Sequence, residues 1–245
     1  MLLEIESRVR IILVEPSHPG NIGAVARAMK TMGLRRLTLV RPKLFPSPEA
    51  TARAAGADDL LHDVTVCNDL DVSLEGCIWV LGTTARERHI QWPQIESHSL
   101  AATVCEKVRR GDVAIVFGRE SSGLRNDELD RCHAVFRIPA NEYFGSLNLA
   151  SSVQIVGYEL RMYGLTKEEG VPTSASSMAV TTQEMEGFYA HLRRVLIDLD
   201  YLDEEKPKLL MRRLRRLFNR ANPDRPELNI LRGILAAVES ALGKK

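Results

Sequence analysis

In Ile138-Pro-Ala-Asn-Glu-Tyr-Phe-Gly-Ser-Leu-Asn-Leu-Ala-Ser-Ser-Val153 the end of an apolar strand runs into a polar, glycine-containing loop. That loop delivers Ser146 and Asn148 to the first turn of an apolar helix. Such a turn presents unpaired backbone N–H groups beside small side chains, which suits close approach of a nucleotide-like ligand. Two earlier segments have the same strand-then-loop character: Asn21-Ile-Gly-Ala-Val-Ala-Arg27 and Val116-Phe-Gly-Arg-Glu-Ser-Ser-Gly-Leu124.

Around these segments, short apolar runs alternate with helical patterns as far as about residue 164. Strands are expected at Val9–Val14, Leu37–Val40, Cys77–Leu81, Val113–Phe117 and Ala134–Ile138. Helices are expected at Ile22–Met32, near Pro48–Ala55, at Ser97–Arg109 and at Leu147–Tyr163. Ile22, Val25, Ala26 and Met29 share one helical face, and Gly33 is placed to stop that helix. Continuous apolar strands separated by helices predict an α/β fold with a mostly parallel sheet covered on both faces. The domain so defined covers residues 1–165.

Residues 166–183 lose the apolar period and carry Gly, Pro and Ser, so they read as a linker. Beyond it, residues 184–245 form a small helical domain with helices expected at Met185–Asp200, Lys208–Arg220 and Glu227–Leu242. Charge is concentrated there. Lys206 to Arg232 holds nine basic residues against Asp224 and Glu227, although the chain as a whole carries a net charge of only +1. Such asymmetry marks a polyanion-binding module.

At 245 residues the chain can bury a proper core. The start, Met1-Leu-Leu-Glu-Ile-Glu-Ser-Arg8, lacks the basic and apolar regions of a signal peptide, and no stretch reaches membrane-spanning length. Cys67, Cys77, Cys105 and Cys132 are scattered, with no Cys-x-x-Cys pair, so neither disulfides nor a metal site is expected. A cytoplasmic location is the expectation.

The common enzyme signatures are missing. There is no G-x-G-x-x-G, no P-loop, no H-E-x-x-H and no G-x-S-x-G. What remains is a set of loops at strand ends: residues 15–23, Gly82-Thr-Thr-Ala-Arg-Glu-Arg-His89, Gly118-Arg-Glu-Ser-Ser-Gly123 and the segment around Ser146. Ligands of doubly wound sheets sit at such ends.

Taken together, the three segments resemble the signature of the SPOUT methyltransferases, S-adenosylmethionine-dependent enzymes with a trefoil knot. Asn21, Gly23 and Arg27 are similar to the first motif, Phe117 through Leu124 to the second, and Pro139 through Val153 to the third. Leu13 through Gly33, Gly82-Thr-Thr-Ala-Arg86 and Leu228 through Leu235 resemble more closely the bacterial tRNA ribose methyltransferases of that superfamily. Those enzymes methylate the 2′-oxygen of cytidine or uridine at position 32 of the anticodon loop. The resemblance covers nearly the whole chain, with the linker its weakest part.

It implies that S-adenosylmethionine lies against Thr83, Thr84, Ala85, Gly118, Ile138, Gly145, Ser146 and Leu147. Gly145 departs from the family pattern, in which serine is frequent. The resemblance further implies a homodimer, tRNA as partner, and catalytic roles for Arg27, Asn21, Glu120, Ser146 and Asn148. A guanidinium stays protonated in proteins, so Arg27 is expected to stabilise a developing alkoxide and grip phosphate. Arg88 and Arg119 are expected to hold RNA phosphate, as are Arg212, Arg213, Arg215, Arg216 and Arg220. Each residue also has an ordinary reading: Arg27 as a solvated position, Gly118 as a turn glycine, Asn148 as a helix cap, the arginines in part as a wetted helix face. Two further readings stay open, a ribosomal RNA target and a non-catalytic RNA-binding protein.

Overall fold

The computed structural model describes residues 1–85, 92–141, 143, 145–166, 179–205 and 209–243. The chain opens with α1 (Leu2–Arg8), β1 (Val9–Val14), α2 (Pro19–Met32) and β2 (Arg36–Val40). Next come α3 (Pro48–Ala54), α4 (Asp58–His62), β3 (Thr65–Cys67), α5 (Leu70–Ser73), β4 (Cys77–Thr83) and β5 (Gln94–Ile95). The domain finishes with α6 (Leu100–Val108), β6 (Asp112–Phe117), α7 (Asn126–Leu129), β7 (Ala134–Phe136) and α8 (Leu149–Thr166).

The strands pair in the order β3-β2-β1-β6-β4-β7-β5, and every pairing is parallel. The expectation of a mostly parallel sheet between helices is met. In β1, Val9, Ile11 and Leu13 join the core under α2, α6 and α8, while Ile12 and Val14 join the core on the other face. A strand buried on both sides has no polar face to show, and β1 is apolar except for the half-buried Arg10, whose guanidinium donates to the Ser73 carbonyl at 2.6 Å. In β4, Cys77 and Val80 share a face because the register slips between Cys77 and Trp79, a local bulge.

Gly33 stops α2 in the left-handed region, as expected. Gly23 does something the sequence did not reveal. A Cβ there would lie 2.0 Å from the Ala50 carbonyl oxygen, so glycine is what lets α2 and α3 touch.

Thr181 and Glu184 form a capping box that opens α9 (Thr182–Asp198), so Thr182 and Gln183 are helical within the stretch expected to be linker. Residues 167–178 of that stretch lie outside the described residues. α10 (Leu210–Ala221) and α11 (Arg225–Leu242) complete the domain around Met185, Phe188, Tyr189, Leu192, Val195, Leu228 and Leu235. This domain docks on the sheet domain rather than hanging from a tether. Thr182 Oγ1 donates to the Leu74 carbonyl at 2.8 Å, Asn219 Nδ2 to the Cys132 carbonyl at 3.3 Å, and Arg212 Nε to Asp130 at 2.9 Å. No described helix is long and apolar enough to cross a membrane.

Candidate active site

Because β6 lies between β1 and β4, the loops leaving β1, β4, β6 and β7 all open on the carboxyl edge of the sheet. There the segments after β4, β6 and β7 enclose a cleft of about 790 Å³, measured out to its open mouth, and the segment after β1 reaches it through Glu120, which accepts from Ser17 N. Thr83, Thr84 and Ala85 form one wall, Gly118 and Glu120 another, and Ile138 with Gly145, Ser146 and Leu147 a third. All eight residues expected to hold the cofactor therefore line a single cavity. Phe117, Phe136 and Leu149 add apolar surface. Among the described residues, the backbone N–H groups of Gly145, Ser146 and Leu147 meet no protein acceptor. The Thr83 hydroxyl is already used, donating to the Val116 carbonyl at 3.0 Å.

Glu120 is the hub beside this cleft. Its carboxylate accepts from Ser17 N at 3.1 Å, Ser17 Oγ at 2.9 Å, His18 N at 3.3 Å and Asn21 Nδ2 at 3.0 Å. Burial pushes its pKa up, but the bonds from Asn21 and Ser17 outweigh it and hold the group at about 2. Asn21 in turn accepts from Asn148 Nδ2 at 3.0 Å. Asn148 Oδ1 accepts from Ala150 N at 2.9 Å, so Asn148 is also the cap of α8. Three candidates more than a hundred residues apart at their extremes thus form one chain, Glu120–Asn21–Asn148. Ser17 and the His18 backbone belong to it too, with no sequence signal to announce them.

Arg119 has a different task from the phosphate contact expected of it. Its side chain is only 11% exposed and pairs with Glu15 at 2.7 Å and with both oxygens of Glu128 at 3.0 and 2.7 Å. Those carboxylates raise its pKa, and Arg119 holds the pKa of Glu15 down at about 2. The pairs fasten the 118–124 loop, whose Gly118 would collide with the Gly123 and Leu124 backbone at 2.2 Å if it bore a Cβ.

Arg27 stands exposed on α2, and no described residue partners its guanidinium. It does not line the cleft of its own chain. Six residues after Asn21, it lies about 9 Å farther along the helix and turned away from Asn21. Arg88 lies outside the described residues. Of the α10 arginines, Arg212 is spent on Asp130 and sits 5.6 Å from the Trp92 ring centroid. Arg215 pairs with Glu186 and covers Tyr189 at 4.4 Å. Arg216 is half-buried, leaving Arg213 and Arg220 as the exposed cations of that helix. Among the described residues, no group of three or more acidic, His or Cys side chains is arranged to hold a metal ion.

A nucleoside-sized cleft at parallel strand ends, edged by an acid–amide chain and followed by a basic helical domain, is the layout of an RNA-modifying enzyme. Residues 8–158 match the SpoU rRNA Methylase family and residues 183–245 the C-terminal domain of tRNA methyltransferase TrmJ. The chain belongs to the SpoU methylase family. It is 50% identical to the tRNA (cytidine/uridine/adenosine-2′-O-)-methyltransferase TrmJ of Pseudomonas aeruginosa over 95% of this chain and 94% of that one. It is 47% identical to the tRNA (cytidine/uridine-2′-O-)-methyltransferase TrmJ of Photorhabdus laumondii over 94% and 96%. The crystal structure of TrmJ from Z. mobilis superposes with a TM-score of 0.82 at 32% identity, covering 94% and 98% of the two chains. The family resemblance carried by the three motifs is borne out.

Proposed function

We propose that this protein methylates the ribose 2′-oxygen of cytidine or uridine at position 32 of the tRNA anticodon loop, using S-adenosylmethionine. The observation behind the proposal is the Glu120–Asn21–Asn148 chain fixed beside the cleft. Similarity to two enzymes named for tRNA 2′-O-methylation supports the substrate. The cleft suits the cofactor: apolar walls accept a flat adenine, and the open N–H groups of residues 145–147 offer donors. S-adenosylmethionine supplies an already activated methyl carbon on its sulfonium. The chain's own work is orientation and charge. Asn21 and Asn148, locked by Glu120, hold the first turn of α8 and with Ser146 position the ribose.

Arg27 supplies the cation that stabilises the alkoxide as the 2′-hydroxyl loses its proton. Its distance from its own cleft fits a homodimer in which it completes the partner's cleft. Tyr158, Met162 and Leu165 support that assembly, exposing an apolar stripe at helical spacing on α8, the helix packed against α2. The trefoil knot belongs to the same proposal, since Ile138 and residues 145–147 meet both the 83–85 and 118–123 segments around one cleft. Residues 1–165 would then be the catalytic domain, residues 184–245 the RNA-gripping one, and the cytoplasm the place of action.

The test is to incubate the protein with labelled cofactor and separate tRNA and ribosomal RNA pools, then locate the label by nuclease mapping. Label at the anticodon-loop ribose is the expected result, and label confined to ribosomal RNA would overturn the substrate. Arg27→Ala should abolish transfer while leaving cofactor binding intact in a calorimetric titration. Equal loss of both would make Arg27 structural.

A further inference from the structure

The carboxyl edge of the sheet carries charge beyond the cleft, over the ends of β1 and β2. Glu15 follows β1 and Arg41 follows β2, and both are held in the left-handed region at φ 47°. The Glu15 N–H donates to the Val40 carbonyl at 2.7 Å and the Arg41 N–H to the Cys67 carbonyl at 2.9 Å, so each residue prolongs its ladder before turning. A residue with a side chain is strained in that region, and such strain gathers at ligand sites. The two side chains also meet. The Glu15 carboxylate accepts from three guanidinium groups: Arg119 at 2.7 Å, Arg41 at 3.0 Å and Arg125 at 3.3 Å.

One carboxylate does not neutralise three cations. Arg119 is buried and takes Glu128 as well, whereas Arg41 and Arg125 are 46% and 55% exposed. The Lys43 N–H donates to the Pro16 carbonyl at 3.1 Å, which ties this residue to the loop after β1. Its exposed ammonium meets no partner among the described residues. Arg41, Lys43, Arg119 and Arg125 outnumber Glu15 and Glu128 by two positive charges. The nearest acids along the chain are turned to other work: Asp69 accepts from Asp71 N at 2.8 Å, and Asp127 acts on Arg131. This surplus adjoins the cleft, since Ser17 is bound to Glu120 in the cleft wall. β2 lies two strands from β6, about 10 Å at ordinary strand spacing.

We propose that Arg41, Lys43 and Arg125 form a track for the phosphodiester backbone of the RNA strand leaving the cleft, gripping phosphates that flank the nucleotide being methylated. The track rests on the reading of the cleft as an RNA ribose methyltransferase site. Guanidinium groups already oriented by a shared carboxylate lose little freedom on meeting phosphate, whose oxygens they match in pairs. Lys43 adds a point charge. Contacts to phosphate fix register and add affinity without reading a base.

The test is the salt dependence of tRNA binding by the full chain, followed by fluorescence anisotropy. Lys43→Ala combined with Arg125→Ala should weaken binding about tenfold at 0.15 M salt and flatten the slope by about 1.4, the share of two single-strand phosphates. Cofactor affinity in calorimetry should not change. Nor should the melting temperature, because the Arg125 pair is half-exposed and Lys43 has none. Lys43→Arg with Arg125→Lys should keep the slope. Arg35→Ala removes an exposed cation at the opposite, amino edge of the sheet and should also leave the slope alone. A wild type that does not bind tRNA would overturn the reading of the cleft and the track together. Wild-type binding whose slope is unchanged in the double alanine variant, or is flattened as much by Arg35→Ala, would overturn the track alone.

Discussion

Replacing Glu120 by glutamine would expose how the site is held together. The carboxylate receives four donors: Ser17 N, Ser17 Oγ, His18 N and Asn21 Nδ2. A glutamine keeps one accepting oxygen and turns an NH₂ group toward the rest, so donor faces donor. The drop in pKa from 4.5 to about 2 gives an independent measure. It corresponds to about 3 kcal/mol, reduced to roughly 1–2 kcal/mol because the group is partly solvated. For a chain of this size that is a melting temperature lower by about 3–6 °C. The pH dependence has a definite sign. Between pH 2 and 4.5 the unfolded chain binds the extra proton, so the contribution is complete above 4.5 and fades as pH falls to 2. Thermal melts of wild type and Glu120→Gln should therefore differ at neutrality and converge in acid. With Asn21 no longer locked, turnover should fall more than cofactor affinity. Equal melting temperatures at neutral pH, or a gap that persists at pH 2, would mean that Glu120 is not what fastens the site.

Gly23→Ala drives a Cβ against the Ala50 carbonyl and should cost about 2–3 kcal/mol in urea unfolding, so an unmoved midpoint would contradict the packing role. Arg213→Ala combined with Arg220→Ala should weaken tRNA binding and flatten its salt dependence by about two counterions, whereas Arg212→Ala should leave that slope alone and loosen domain docking in limited proteolysis. His133, depressed from 6.5 to about 4 by burial and by Lys107, stays neutral in the fold while the unfolded chain protonates. Its contribution, at most about 3 kcal/mol, is complete above pH 6.5 and lost as pH falls toward 4. A His133→Gln variant whose stability changes with pH as steeply as wild type across that window would count against it.

The central strands were legible because each is buried on both faces and so is largely apolar: Val9–Val14, interrupted only by Arg10, has the expected bounds, and Asp112–Phe117 differs by one residue, its polar first position. Thr65–Cys67 and Gln94–Ile95 were not, since edge strands of two or three half-exposed residues carry no period. The short helices α4, α5 and α7 escaped for the same reason, being barely one turn long. The cofactor-side residues were recoverable as motifs because they follow strand ends. What charge in a sequence does not disclose is its partner. Arg119 reads as a free cation until Glu15, 104 residues earlier, is seen to hold it, and Arg212 until Asp130 is. Gly23 reads only as a motif glycine until the Ala50 carbonyl is seen against it.

Everything about the site turns on which atom receives the methyl group. A synthetic anticodon hairpin carrying a 2′-deoxy nucleotide at the target position, offered with labelled S-adenosylmethionine beside its ribose counterpart, asks this directly. The ribose hairpin should take up label and the deoxy hairpin none. Incorporation into the deoxy hairpin would contradict a ribose-oxygen acceptor, and with it the catalytic roles of Arg27, Asn21, Glu120, Ser146 and Asn148.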